Sequence, residues 1–277
     1  MIELPEARTL ANQISDTFGS KLILSAMANA SPHKFAWYHG DPTGYGALLT
    51  GLRVERAVAH GGMVQVVASG GGRLLFTDGV ALRLVPAGER RPAKHQLLVE
   101  FDDGTAMAAS VQMYGGLWAY REGDFHNPYF DTACGKPSPL SNEFDADYFA
   151  GLLHDDTVRS KSAKAFLATE QRVPGLGNGV LQDILWNARI NPRRSISSLS
   201  RPQLDRLFES VKTTLHAMTE RGGRDTEKDL FGETGGYVTR MSKYTADLPC
   251  PGCGGTVTKE AYLGGSVYYC PNCQPVQ

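Results

Sequence analysis

Residues 250–273 read CPGCGGTVTKEAYLGGSVYYCPNC, two Cys-x-x-Cys knuckles with sixteen residues between them. Four thiolates at that spacing match a tetrahedral structural zinc site with no ligand position left open for chemistry. Cys250, Cys253, Cys270 and Cys273 are the expected ligands of one structural Zn2+. The residues at 256–261 and 266–269 read as two strands of a hairpin held at its base by the metal. Four unligated cysteines are the bland alternative. Because such ribbons also serve as plain folding staples, the neighbouring sequence has to decide what the chain does. Cys134, alone, reads as an ordinary free thiol.

Upstream of this module the pattern is helical. Helices are expected at 145–153, 162–168 and 179–188, the last with Leu181, Ile184, Leu185 and Ala188 on one face. A fourth opens with Ser200 and Gln203 as a capping box and ends at Gly222-Gly223. Ahead of the helices, Asn127–Asn142 collects three prolines, a glycine and two serines, the marks of a linker. Residues 20–120 change period to short β-rich runs at 22–27, 63–68, 74–77, 96–101 and 105–111, with Asp102-Asp103-Gly104 as a hairpin turn. A helix at 4–18 precedes them, with Pro5 in its first turn and Ala7, Leu10, Ala11, Ile14 and Phe18 on one face. The expected fold is α+β, an antiparallel β-sandwich with an N-terminal helix followed by a helical domain and the finger. The boundaries read 1–132, linker 133–144, 145–248 and 249–277.

No stretch approaches the ~20 apolar residues that span a bilayer, and no basic-then-apolar leader opens the chain. A cytoplasmic monomer without membrane contact is expected. The net charge of −1 does not advertise a polyanion binder, although residues 151–277 hold 16 Lys+Arg against 13 Asp+Glu. A positive groove would have to be local.

The motifs, taken in order, resemble the formamidopyrimidine-DNA glycosylase and endonuclease VIII family. They are Glu3-Leu4-Pro5-Glu6, Lys94-His95-Gln96, Tyr114-Gly115, Val173-Pro174-Gly175-Leu176-Gly177-Asn178, Asn191-Pro192-Arg193-Arg194, Gly222-Gly223 and Tyr269-Cys270-Pro271-x-Cys273-Gln274. The resemblance runs end to end and implies a helix-two-turn-helix second domain, with damaged or abasic duplex DNA in the cleft between the halves. It also implies attack on the sugar C1′ of an extruded nucleotide by an N-terminal amine, giving a Schiff base. Met1, Ile2, Glu3 and Glu6 are then the catalytic candidates, with Glu3 as proton shuttle. A first-turn Glu6 also stabilises any helix through its dipole. His60, Gln112, Met113, Tyr114, Lys164, Gly177 and Asn178 are the DNA-binding candidates. Gly175 and Gly177 at a helix start suit close approach of a phosphate, and equally suit a plain capped turn.

Three family positions depart. The nucleophilic proline falls on Ile2, a phosphate-gripping lysine on Gly62 and the finger arginine on Gly265. Among the residues that fill the void of the extruded base, a methionine falls near Val80 and an arginine on Gln112, while the aromatic is kept as Tyr114. His60 is the candidate substitute for the lysine; a turn residue is its plain alternative. Lys164 matches a family basic position, against a solvent-facing helix lysine. The charged segment 223–232 sits where the family covers the extruded base, or is a solvated turn. Two functions follow: a base-excision glycosylase with AP-lyase activity, favoured by Glu3, or a damaged-DNA binder without chemistry, favoured by the lost anchors.

Overall fold

Leu4–Phe18 forms α1 because Pro5 occupies a first-turn position that needs no N–H, while the Glu6 carboxylate accepts from the Glu3 N–H at 3.2 Å. The structure, a computed structural model, describes residues 1–276. Ala7, Leu10, Ala11, Ile14 and Phe18 pack into the sandwich core, whereas Leu4 belongs to the core of the second half. One helix therefore roots in both hydrophobic clusters and fixes Glu3 where they meet.

One sheet has the order β1–β7–β8–β6, comprising β1 (Ile23–Ala28), β6 (Val80–Val85), β7 (Leu97–Phe101) and β8 (Ala106–Val111), all antiparallel. The other has the order β2–β9–β5–β4–β3, comprising β2 (Ala36–Trp37), β3 (Val54–His60), β4 (Met63–Ala68), β5 (Gly72–Phe76) and β9 (Gly115–Arg121). The two-residue β2–β9 pair is parallel, a departure from the all-antiparallel expectation. Between the sheets Phe18 stacks on Phe101 at 4.4 Å, and Val64, Phe76, Leu97 and Leu117 are fully buried. Truncating one such aromatic costs ~3–5 kcal/mol. The short α2 (Tyr45–Leu49) plugs one flank through Tyr45 and Leu49.

The stretch read as linker carries a helix. Asn127 accepts from the Tyr129 and Phe130 amides and starts α3 (Pro128–Gly135), so Pro128 opens an element rather than marking its absence. No helix or strand runs from Lys136 to Asp145. The second half follows with α4 (Ala146–Gly151), α5 (Asp156–Arg159), α6 (Ala163–Ala168), α7 (Val180–Ala188) and α8 (Arg201–Glu220). Phe144, Phe149, Phe166 and Phe208 form its aromatic nucleus. Asp183 on α7 accepts from the Arg240 and Met241 amides and so anchors the approach to the finger. The finger hairpin pairs β10 (Thr258–Tyr262) with β11 (Gly265–Tyr269). It is stapled to the helices by Asn191 Nδ2 donating to the Gln274 carbonyl and Gln274 Nε2 donating to that of Ile190, both at 2.9 Å. No helix is long and apolar enough to cross a membrane, among the described residues.

Candidate active-site cleft

A cleft of about 460 Å³ opens where the two halves and the finger meet. Met1 to Glu3, Asp78, Met113 and Tyr114 line it from the sandwich, Lys164 and Gly175 to Asn178 from the helices, and Leu263 to Ser266 from the hairpin tip. Glu3 is buried at its floor. Its Oε1 accepts from the Gly179 amide at 2.8 Å and its Oε2 from that of Val180 at 2.7 Å. The amides at the start of α7, expected to face a phosphate, are thus turned to an internal carboxylate, where the helix dipole favours negative charge. Burial pushes the Glu3 carboxyl above its ordinary range; Arg224 and the two amides pull it back.

The glycines make this packing possible. A Cβ at Gly177 would stand 2.7 Å from Glu3 Cδ, and one at Gly179 would overlap the Arg224 guanidinium. Gly175, at φ 75°, lies against the Gly61-Gly62 turn so closely that a side chain there would meet backbone. At Gly62, a Cβ would be 3.2 Å from the Ile2 carbonyl. A side chain at 62 would crowd this backbone.

Ile2 is buried in the sandwich core and the α-amine of Met1 forms an ion pair with Glu227. Glu6 does not line the cleft: its carboxylate takes Arg224 Nε at 2.9 Å and Nη2 at 2.8 Å. Lys164 lines it but is buried, its ammonium donating to the Tyr262 carbonyl, and burial pushes its pKa down. It is not the solvent-facing lysine of the plain alternative. Asn178 donates from Nδ2 to the Ser266 carbonyl at 2.9 Å; reversing the amide would set two oxygens together. Its Oδ1 is buried without a partner among the described residues.

The structure does not bring His60 or Gln112 into the cleft wall. The His60 ring stands edge-on to Phe130 at 5.2 Å, between Gln65 Oε1 at 3.3 Å and Cys134 Sγ at 3.4 Å. Burial lowers its pKa, which disfavours the cation a phosphate would need. Gln112 is exposed beside the cleft, whereas Met113 and Tyr114 line it. Three participants were missed by sequence reasoning: Asp78, Glu227 and Arg224. Asp78 accepts from the Tyr114 hydroxyl at 3.4 Å and leaves Oδ1 unpartnered among the described residues. Glu227 and Arg224 both lie in the charged segment 223–232, whose charge density was the available signal.

In the finger, the four cysteine Sγ atoms lie within 4.8 Å of one another, with Cys250–Cys273 at 3.8 Å and Cys253–Cys270 at 3.4 Å. A tetrahedral zinc with bonds of ~2.3 Å needs sulfur pairs ~3.8 Å apart, so the donor set fits. Trp186 Nε1 and the Gly252 amide each point at Cys250 Sγ from 3.4 Å, donors that would steady a thiolate ligand.

A family model described as the formamidopyrimidine-DNA glycosylase H2TH domain matches residues 136–229. The formamidopyrimidine-DNA glycosylase of Cereibacter sphaeroides is 29% identical over 289 residues, covering 99% of this chain and 100% of that protein. That of Thermus thermophilus is 27% identical over 283, covering 99% and 98%. Along nearly its whole length the chain is similar to formamidopyrimidine-DNA glycosylases. Solved structures agree on the fold: the Thermus thermophilus protein superposes with a TM-score of 0.81 at 24% identity, covering 99% of each chain. The Lactococcus lactis protein, solved with abasic-site-containing DNA, gives 0.82 at 23%, covering 98% of this chain and 99% of that one. The matched glycosylase segment holds Lys164, Gly177, Asn178, Arg224 and Glu227, so one wall of the cleft is built from it.

Proposed function

We propose that the chain is a base-excision DNA glycosylase acting on damaged or abasic duplex DNA. An extruded nucleotide enters the cleft, and the chemistry is done beside Glu3. The observation that carries this reading is the Glu3 carboxylate, buried on the floor of a cleft that Met1 also lines, accepting from two backbone amides and paired with Arg224. A pure binder has no need of a desolvated carboxylate there. Two routes use it. The neutral amine can attack C1′ and displace the base, after which Glu3 passes a proton to the ring oxygen as the C1′–oxygen bond opens to a Schiff base, and AP-lyase elimination expels the phosphate. Alternatively, Glu3 can activate water, and base release then proceeds without a covalent adduct. The solved complexes of Lactococcus lactis Fpg with abasic-site and oxidised-pyrimidine DNA support the substrate class.

Met113 and Tyr114, which line the cleft, would fill the stack behind the extruded base, and Lys164 and Asn178 would meet its backbone. Cys250, Cys253, Cys270 and Cys273 would hold one structural zinc, whose contribution is folding rather than chemistry. Reduced, clustered thiols fit the cytoplasm, and no partner besides DNA is needed.

Glu3→Gln keeps shape and removes the proton acceptor. Turnover on an abasic or oxidised-base duplex should fall roughly 10²–10⁴-fold with affinity nearly unchanged. Undiminished turnover in that variant would sink the catalytic assignment. The second reading, a damaged-DNA binder, is favoured by the glycines at 62 and 265, which leave the cleft without two cations. Wild-type inactivity across a broad lesion panel, with tight binding retained, would select it.

A further inference from the structure

The guanidinium of Arg224 is among the most deeply buried charges of the molecule, 2% exposed, and its surroundings are acidic. Its Nη1 stands 3.6 Å from Glu3 Oε2, while Nε, Nη2 and its own backbone N–H donate to Glu6. Nη2 also reaches the Met1 carbonyl at 3.4 Å. We propose that Arg224 is a positioning residue for Glu3: from the root of the segment 223–232 it fixes the carboxylate against the start of α7. The proposal rests on the base-excision reading for its consequence, not for its geometry.

Three features show a built site. Gly179 has no side chain, and any Cβ there would occupy the guanidinium's place. Gly223 at φ 100°, on which Gly235 packs too closely for a side chain, gives the turn that aims residue 224 inward. The far end of the segment is pinned as well. Leu230 is fully buried in the sandwich core, its carbonyl accepts from the Leu84 amide at 2.7 Å, and Asp229 accepts from Gln13 at 2.7 Å. A segment of the helical half is therefore tied across α1, with Arg224 as its inner bolt.

Glu3 and Glu6 are both buried within reach of one cation, and the Glu6 charge pushes the Glu3 carboxyl up. The cleft that Glu3 lines also holds Asp78, Tyr114, Tyr129, Lys164 and the Met1 amine. Its two other cations are engaged elsewhere, the Met1 amine with Glu227 and Lys164 with the Tyr262 carbonyl. Arg224 is then the cation that opposes the rise that burial and Glu6 impose on the Glu3 carboxyl.

Arg224→Gln, Arg224→Lys and wild type should be compared in two ways: base release from a lesion duplex as a function of pH, and thermal melting between pH 4 and 8 without DNA. In Arg224→Gln the Glu3 carboxyl rises further. The acidic limb of the activity profile should move up by about one unit or more, and Lys should restore part of it. The melting arm needs no activity. A carboxyl raised in the folded state adds stability below its unfolded pKa and loses it as pH rises, so the Gln deficit should widen from pH 4 to 8. A deficit that is constant with pH, or an acidic limb that stays in place, overturns the positioning role and leaves packing alone. If wild type releases no base while the melting deficit still widens, in a Glu6→Gln background as well as in the natural sequence, the base-excision reading fails and the Arg224–Glu3 coupling stands. Should Arg224→Gln not fold, Arg224→Lys carries both arms, with a smaller shift in the same direction.

Discussion

Glu3 and Glu6 stand three residues apart on one helix, yet only Glu3 reaches the cleft. Glu6 is spent on Arg224 and on the Glu3 amide, so its role is to hold rather than to react. Its negative charge also raises Glu3. Glu6→Gln should therefore move the acidic limb of the activity profile downward, opposite to the change at Arg224. It should also cost ~3 kcal/mol of stability, since a buried ion pair loses one member. Denaturant melts and a pH–rate profile check both, and an upward shift would refute the assignment of Glu6 as a neighbour rather than a participant. Glu3 was legible because its place in Glu3-Leu4-Pro5-Glu6 matched a family pattern. Its partner was not: Arg224 is 218 residues from Glu6, and no local signal tells a buried guanidinium from one on a solvated turn.

The finger hairpin lies on the helical half through two carbonyls, Tyr262 accepting from Lys164 and Ser266 from Asn178. A Cβ at Gly265 would stand 3.3 Å from Asn178 Nδ2, so the tip sits closer than most side chains allow. Gly265→Arg should therefore shift the tip slightly while adding one cation to the cleft rim. DNA affinity should rise and the slope of log K against log salt should steepen by about 0.9, as expected for one added phosphate contact. Fluorescence titrations at several salt concentrations measure this, and an unchanged slope would mean that the tip does not face the backbone. Elements with a strong local signature were readable: α1 from its period and Pro5, the hairpin from its cysteines, α8 from its capping box. β9 was not, because Gly115–Arg121 is buried along most of its length and lacks alternation. α3 was hidden by prolines that mark a helix start as readily as a linker. With α3 unseen, His60 looked like a free turn residue, whereas Phe130 and Cys134 from that helix enclose it.

Across the whole molecule the halves are tied at two points: Leu4 of α1 enters the helical core, and Leu230 of the helical half enters the sandwich core. The finger has no comparable apolar root. Its own core amounts to Met241, Val257 and the two inner cysteines, with Trp186 and Tyr268 against it, too little to order some thirty residues unaided. If the four cysteines bind zinc, metal should supply most of the finger's stability; isolated zinc-finger peptides gain ~10–16 kcal/mol from it. Chelation, or Cys253→Ser, should unfold 249–276 and free Lys164 and Asn178 from their carbonyl partners, opening the cleft on one side. DNA binding should then be lost while the sandwich persists. Hydrogen exchange can separate the two: amides of β10 and β11 should lose protection on metal removal, those of β4, β7 and β8 should keep it. The start of α7 is the sensitive reporter between them, because Glu3 holds it from the sandwich side and Gln182, accepting from the Tyr268 amide, from the finger side. Protection at Gly179 and Val180 that survives chelation would show that the Glu3 site stands without the finger. Protection that collapses with β10 and β11 would make the metal a condition of the catalytic geometry as well as of DNA binding.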